Sequence, residues 1–196
     1  MIGLKRHTVK VVDHDPDWAT LAAEACQAVR NACGELLVDV QHVGSTAVPD
    51  LPAKPILDIV AAVVTFDSMP ELVRRLADIG YRYRRNHGDA GGHLFVADSA
   101  PDVRTIHIHV VEHSGSQWRD YLRFRDLLRR RPAIRRRYAE LKRGLASICR
   151  DDRESYTASK ADFIREVLDN NVNWIDDSSN QSGGNKRAPS VALFSA

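Results

Sequence analysis

Residues 41–62 read QHVGSTAVPDLPAKPILDIVAA, and the order of chemistry in this stretch decides the fold. An apolar run ending at His42-Val43 stops at Gly44-Ser45-Thr46, a proline-rich loop carries Lys54, and a second apolar run opens at Pro55 and holds Asp58. Strand, small-residue turn, loop and second strand follow from that order. Glycine tolerates positive φ, so Gly44 lets backbone N–H groups approach an anion closely, while Ser45 and Thr46 add donors and Lys54 a point charge. Asp58 sits inside Ile56-Leu57-Asp58-Ile59-Val60, where a solvated carboxylate would be out of place. A buried charge needs a partner, and a metal ion or a cation is the usual one.

Upstream, Val9-Lys10-Val11-Val12 predicts a strand, and Asp15 before Pro16 predicts a helix start with Asp15 as N-cap. Trp18, Leu21, Ala22, Ala25, Val29 and Ala32 recur at helical spacing to about Cys33, and Gly34 ends that helix. Leu36, Val38, Val40 and His42 then alternate, which sets His42 on an apolar face just before the turn. It reads either as a core histidine or as part of the site. Downstream, the Asp58 strand runs to about Val64. Ser68-Met69-Pro70-Glu71 reads as a capping box, opening a helix with the stripe Leu72, Val73, Leu76 and Ile79 that Gly80 closes. Strands are predicted over 81–84 and 93–97, joined by a glycine-rich turn over 88–92.

The second informative strand is RTIHIHVVE, Arg104 to Glu112. Ile106, Ile108 and Val110 face one way, His107 and His109 the other. This is either a surface strand with two histidines in water or two imidazoles aimed at one point, an arrangement that binds a metal or clamps a phosphate. Ser116 opens a helical C-terminal half. Trp118, Tyr121, Leu122, Arg125 and Leu128 form one stripe, and beyond Pro132 the residues Ile134, Tyr138, Leu141, Leu145 and Ile148 form another, which predicts two antiparallel helices. Arg123 and Arg125 cannot share a helix face, so at most one of them reaches a cleft beneath. A last helix over about 153–170 carries Tyr156, Lys160, Phe163, Ile164 and Val167 on one face. Lys160 among apolar residues needs a partner, either a structural ion pair or an anion such as a triphosphate or carboxylate. Beyond Trp174 the composition turns to Asp, Ser, Asn, Gly and Lys, so residues 176–196 are expected to form a disordered tail after a domain spanning 1–175.

Four motifs, HVGSTAVP (42–49), KPILDI (54–59), HIHVVE (107–112) and YTASK (156–160), together resemble the GrpB family of bacterial proteins over nearly all of Val9 to Leu168. That family belongs to the nucleotidyltransferase-fold superfamily. The resemblance therefore implies an α/β (α+β) fold, a mixed β-sheet flanked by helices with a helical C-terminal half from about residue 116. Superfamily members carry a Gly-Ser turn and then a strand whose two alternate carboxylates hold magnesium. Gly44-Ser45 and Asp58 match, whereas the second carboxylate position is Val60. One carboxylate alone is a poor site for the two ions that assist in-line phosphoryl chemistry. The resemblance implies that His107 and His109 stand near Asp58 in place of the missing carboxylates, with His42 as a further candidate ligand. Imidazole with one carboxylate favours zinc or manganese over magnesium.

The activity so implied is nucleotidyl transfer, with an NTP, usually ATP, as donor and an unidentified small molecule as acceptor. Asp58 and Lys160 are the catalytic candidates, Gly44, Ser45, Thr46, Lys54, Arg125 and Tyr156 the phosphate- and substrate-binding ones, and Asp58, His107, His109 and His42 the ligands of a divalent metal. Related domains fused behind dephospho-CoA kinase point the same way, to nucleotide or coenzyme chemistry. The alternative is a non-catalytic nucleotide- or anion-binding module that has lost the second metal carboxylate.

The 196 residues suit one domain with a full core. No apolar run approaches the roughly 20 residues that span a bilayer, and the N-terminus lacks a signal pattern, so a cytoplasmic location without membrane contact is expected. Cys26, Cys33 and Cys149 have no metal-ligand spacing and are expected as buried free thiols. Net charge is only +2, yet 119–143 holds eleven Lys and Arg against three acids, a local +8 that leaves −6 for the rest. Such a segment is either a solvated helix face or a surface for an anionic partner. RNA binding through it is the weakest reading, because no aromatic platform or RNA-binding signature accompanies it.

Overall fold

The computed structural model describes residues 1–86, 92–149 and 153–170. Its centre is a six-stranded mixed sheet. The strands are β1 (Leu4–Lys5), β2 (Asp39–Val43), β3 (Leu57–Val63), β4 (Arg82–Asn86), β5 (His93–Ala100) and β6 (Val103–Glu112). The order across the sheet is β2-β3-β6-β5-β4, with β1 paired to the first residues of β6. Only β3 and β6 run parallel, the other pairs being antiparallel. The interior strand β3 reads LDIVAAV, close to a continuous apolar run, as a strand covered on both faces must.

Helices cover both faces. Behind the sheet, α1 (Asp17–Cys33) and α2 (Met69–Asp78) pack Val29, Cys33, Leu72 and Leu76 against Ile59, Ala61, Ile108 and Val110. In front, α3 (Ser116–Arg130), α4 (Pro132–Ile148) and α5 (Arg153–Asn170) pack Tyr121, Leu128, Tyr138 and Ile164 against Val43, Val60, Ala62 and Val111. The period of two in β3 and β6 therefore puts Asp58, His107 and His109 on the face under the C-terminal helices. The mixed sheet flanked by helices and the helical C-terminal half agree with the sequence reading. No helix among the described residues is long and apolar enough to cross a membrane.

Local differences have identifiable causes. Residues 9–12 form no strand. Val12 makes one bridge to Ala53, and Val9 is buried against Cys149 and Tyr156, so the segment serves to pack the C-terminal helices. The pairing strand is instead Leu4–Lys5. The α1 helix starts at Asp17 with Pro16, not Asp15, at the N-cap position, one residue later than expected, although the Asp17 N–H still donates to the Asp15 carboxylate at 3.1 Å. The Ser68–Glu71 capping box does not form. Ser68 donates to the Thr65 carbonyl and Glu71 is taken by Arg74 and Arg75. In α4 the stripe is displaced: Ile148 is 80% exposed while Lys142 is buried. The three cysteines are free and buried. Most of the 88–92 turn, and the 176–196 tail, lie outside the described residues.

Candidate metal and anion site

The site begins with a backbone that only glycine adopts comfortably. Gly44 has φ +70°, and a Cβ there would stand 2.5 Å from Asp58 Oδ2 and 2.9 Å from Asp58 Cβ. In the β2–β3 ladder Val43 faces Asp58, so the turn at Ser45–Ala47 starts where the chain passes directly over the carboxylate.

In the parallel ladder Asp58 is level with His107 and Val60 with His109. His107 Nδ1 lies 3.2 Å from Asp58 Oδ1 and His109 Nε2 lies 3.8 Å from the same oxygen. Both histidines are buried, at 2% exposure, which removes the reading of a surface strand in water. Burial raises the Asp58 pKa, but the two imidazoles outweigh it and hold the carboxyl well below the usual carboxylate range. One ligand atom from each of Asp58, His107 and His109 lies within 4.8 Å of the others. Ligands each about 2.0–2.2 Å from one ion at tetrahedral angles stand about 3.4 Å apart. The spacing at His109 is thus too long for a hydrogen bond and close to that of two ligands of one ion. His109 Nε2, fully buried, makes no hydrogen bond to any described residue. These residues fit a divalent ion, and the neighbour of Val60, the position without a carboxylate, is His109.

Above this floor is a cavity lined by Gly44, Ser45 and Thr46 of the turn, by Lys54, and by Tyr138, Lys142, Tyr156 and Lys160 of the C-terminal helices. Its non-atom space is about 520 Å³, part of it open to solvent. Lys160 is buried with its Nζ 4.7 Å from the centre of the Tyr156 ring, and the Lys54 Nζ lies 5.1 Å from the same ring. Burial pushes the Tyr138 and Tyr156 phenols up, so both remain protonated donors. Three lysines and a hydroxyl-bearing turn thus share one cavity with Asp58 and His107.

Two sequence candidates take other places. His42 opposes Ile59 in the ladder, its Nε2 is 2.9 Å from Thr46 Oγ1, and it is not among the three converging ligands. Burial lowers its pKa to about 4, so it is a neutral imidazole bracing the turn. Arg125 donates to Gln41 Oε1 and to the His42 carbonyl, at 3.2 and 3.1 Å, and Arg129 donates to the Ala47 carbonyl. Both tie α3 to the strand end and the turn. Other arginines of the basic segment pair outward, Arg137 with Glu166 and Arg143 with Asp13. The sequence reading did not single out Lys142, although it stands four residues after Tyr138 on the buried side of α4. A lysine inside an apolar stripe, the cue that marked Lys160, was available there too.

Residues 8–170 match the GrpB protein family. The chain is 31% identical to the glutamate-rich protein GrpB of Alkalihalophilus pseudofirmus over 86% of its own length and 98% of that protein. It is 28% identical to a dephospho-CoA kinase of Mycolicibacterium paratuberculosis, where it covers 88% of itself and 48% of the relative. The crystal structure of the conserved protein GrpB from Enterococcus faecalis superposes with a TM-score of 0.75 at 31% identity, covering 85% of this chain and 99% of that one. Motif, fold and relatives agree, and the chain belongs to the GrpB family.

Proposed function

We propose that this protein is a metal-dependent enzyme of the nucleotidyltransferase type, acting on the phosphates of an NTP, with ATP the first donor to test. The observation that carries the reading is the convergence of Asp58, His107 and His109, the first two of which line the floor of a cavity whose wall holds Lys54 and Lys160. A divalent ion bound by those three residues would polarise a phosphoryl oxygen of the donor. Lys54 and Lys160 neutralise charge that builds on the phosphates, and Ser45 and Thr46 supply donors to them. Tyr156, whose ring centre lies 5.1 Å from Lys54 Nζ and 4.7 Å from Lys160 Nζ, helps to position both amines. The three-ligand set suits zinc or manganese.

A second reading, a binding module for a nucleotide or other anion, draws support from Val60, which is fully buried and leaves β3 with a single carboxylate. Metal content and a thermal-shift screen of nucleotides separate the two. The enzyme reading expects bound metal that is lost in His107→Ala/His109→Ala, metal-dependent stabilisation by one nucleotide, and turnover that Asp58→Asn removes while nucleotide affinity is mostly retained. Nucleotide binding without turnover under any metal would favour the module, and no metal with no nucleotide shift would end the enzyme reading and leave a module whose ligand is another anion.

A further inference from the structure

The groups that line the cavity sort by what they can offer a ligand. Lys54, from the loop before β3, and Lys160, from α5, bring amines that carry N–H donors and no acceptor. The acceptors of the lining are engaged within the protein. Asp58 is held by His107 and His109, Thr46 Oγ1 is met by His42 Nε2 at 2.9 Å, and Ser45 shares a hydrogen bond with the Tyr138 hydroxyl. Among the described residues the lining has no Asn, no Gln and no second carboxylate.

The ring faces are taken as well. Tyr138 and Tyr156 are 2% and 1% exposed. Lys54 and Lys160 stand over the Tyr156 ring, 5.1 and 4.7 Å from its centre. Lys142, whose Nζ donates to the Pro52 carbonyl, stands 4.7 Å from the centre of the Tyr138 ring, on which Phe163 stacks at 5.1 Å and 14°. Phe124 is buried and meets Tyr138 edge-on. A nucleobase is read by stacking on a ring and by a mixed pattern of donors and acceptors along its edge. A phosphate chain offers only acceptors and negative charge, and is read by donors and amines.

We propose that this cavity recognises the phosphate chain of its ligand and not the base, so that every nucleoside triphosphate, and inorganic tripolyphosphate with no nucleoside at all, occupies it alike in the presence of a divalent ion. This property rests on the cavity being the triphosphate site of the nucleotidyl-transfer reading. It also goes past that reading, since stabilisation is expected from every triphosphate rather than from one.

The test is calorimetric titration of the full chain, with manganese in excess, by ATP, GTP, CTP, UTP, inorganic tripolyphosphate and inorganic phosphate. The four nucleotides and tripolyphosphate are expected within about fivefold of one another in Kd, with phosphate weaker than all of them by more than that factor. Lys160→Gln, with Lys54→Gln as a second variant, is expected to weaken all five by more than about fivefold, which assigns the binding to this cavity. A spread among the five wider than about fivefold, phosphate inside their range, or smaller losses than that in both variants overturns the proposal. Absence of binding by all six overturns it too. Should neither variant fold, the comparison of ligands on the parent still decides. Equal binding of all five without turnover leaves the proposal standing and ends the enzyme reading. Turnover with one nucleotide preferred beyond that spread does the reverse, so the two fail separately.

Discussion

Gly44→Ala tests whether the turn is built around Asp58. At φ +70° and ψ −168° the residue occupies a region essentially reserved for glycine, where a side chain costs about 1–3 kcal/mol. The added Cβ would also lie 2.5 Å from Asp58 Oδ2 and 2.9 Å from Asp58 Cβ. Asp58 is on an interior strand, paired on both sides, so the backbone cannot retreat and the carboxylate must turn. Forcing it off its rotamer costs about 0.5–1.5 kcal/mol, and loss of the 3.2 Å contact with His107 about 1–3 kcal/mol more. The expected destabilisation is about 2.5–7.5 kcal/mol, and at roughly 2–4 °C per kcal/mol for a chain of this size the Tm falls by at least ~5 °C. Gly80→Ala is the control, because Gly80 has φ +87° and nothing within 4 Å of an added Cβ, so only the backbone term applies. Thermal unfolding followed by tryptophan fluorescence reads both variants, with Trp18 and Trp118 buried, and zinc titration reads the ligand set. If Gly44→Ala unfolds no earlier than Gly80→Ala and binds zinc as the parent does, the claim that the turn and Asp58 form one unit is refuted.

Two further outcomes follow from burial. His42 has its pKa lowered to about 4 by burial, against about 6.5 unfolded, so the unfolded chain binds the extra proton between those values. Its contribution is fully present above pH 6.5 and is lost as pH falls towards 4, by an amount on the order of 2–3 kcal/mol. His42→Gln, which does not titrate, should flatten urea stability against pH across that window, and an unchanged slope would assign the acid sensitivity elsewhere. Burial also pushes the Cys26 and Cys33 thiols up to about 11. At pH 8 they should react with a thiol reagent only after unfolding, and rapid native-state labelling of either would show that α1 opens.

The elements legible in the sequence were those with a local physical signature. The 3.6-residue spacing from Trp18 onward, with Gly34 behind it, is α1, and the alternation in RTIHIHVVE is β6 with both histidines on one side. Less legible was anything that depended on which partner a segment would choose. Val9 to Val12 has strand composition, yet its apolar groups are drawn to Cys149 and Tyr156 on the C-terminal helices. Glu71 follows Ser68 at capping-box spacing, yet two arginines on its own helix hold it more strongly. Arg125 reads as a cleft cation until the ends of β2 and α3 come together and the backbone carbonyl of His42 claims it.

The sequence by itself determined the parts of the site: a glycine turn, one carboxylate in an apolar strand, two histidines at a spacing of two, and a lysine in an apolar helix face. Each is a conflict between a residue and its local surroundings, and such conflicts can be read along the chain. The parallel pairing of β3 with β6 decided that Asp58 meets His107 and that His109 stands beside Val60, because register between strands 49 residues apart is set by the packing of both sheet faces. The docking of α4 and α5 decided that Lys142 and Lys160 enter the same cavity, since a helix buries a lysine only when its partner surface supplies the carbonyls and rings that receive it.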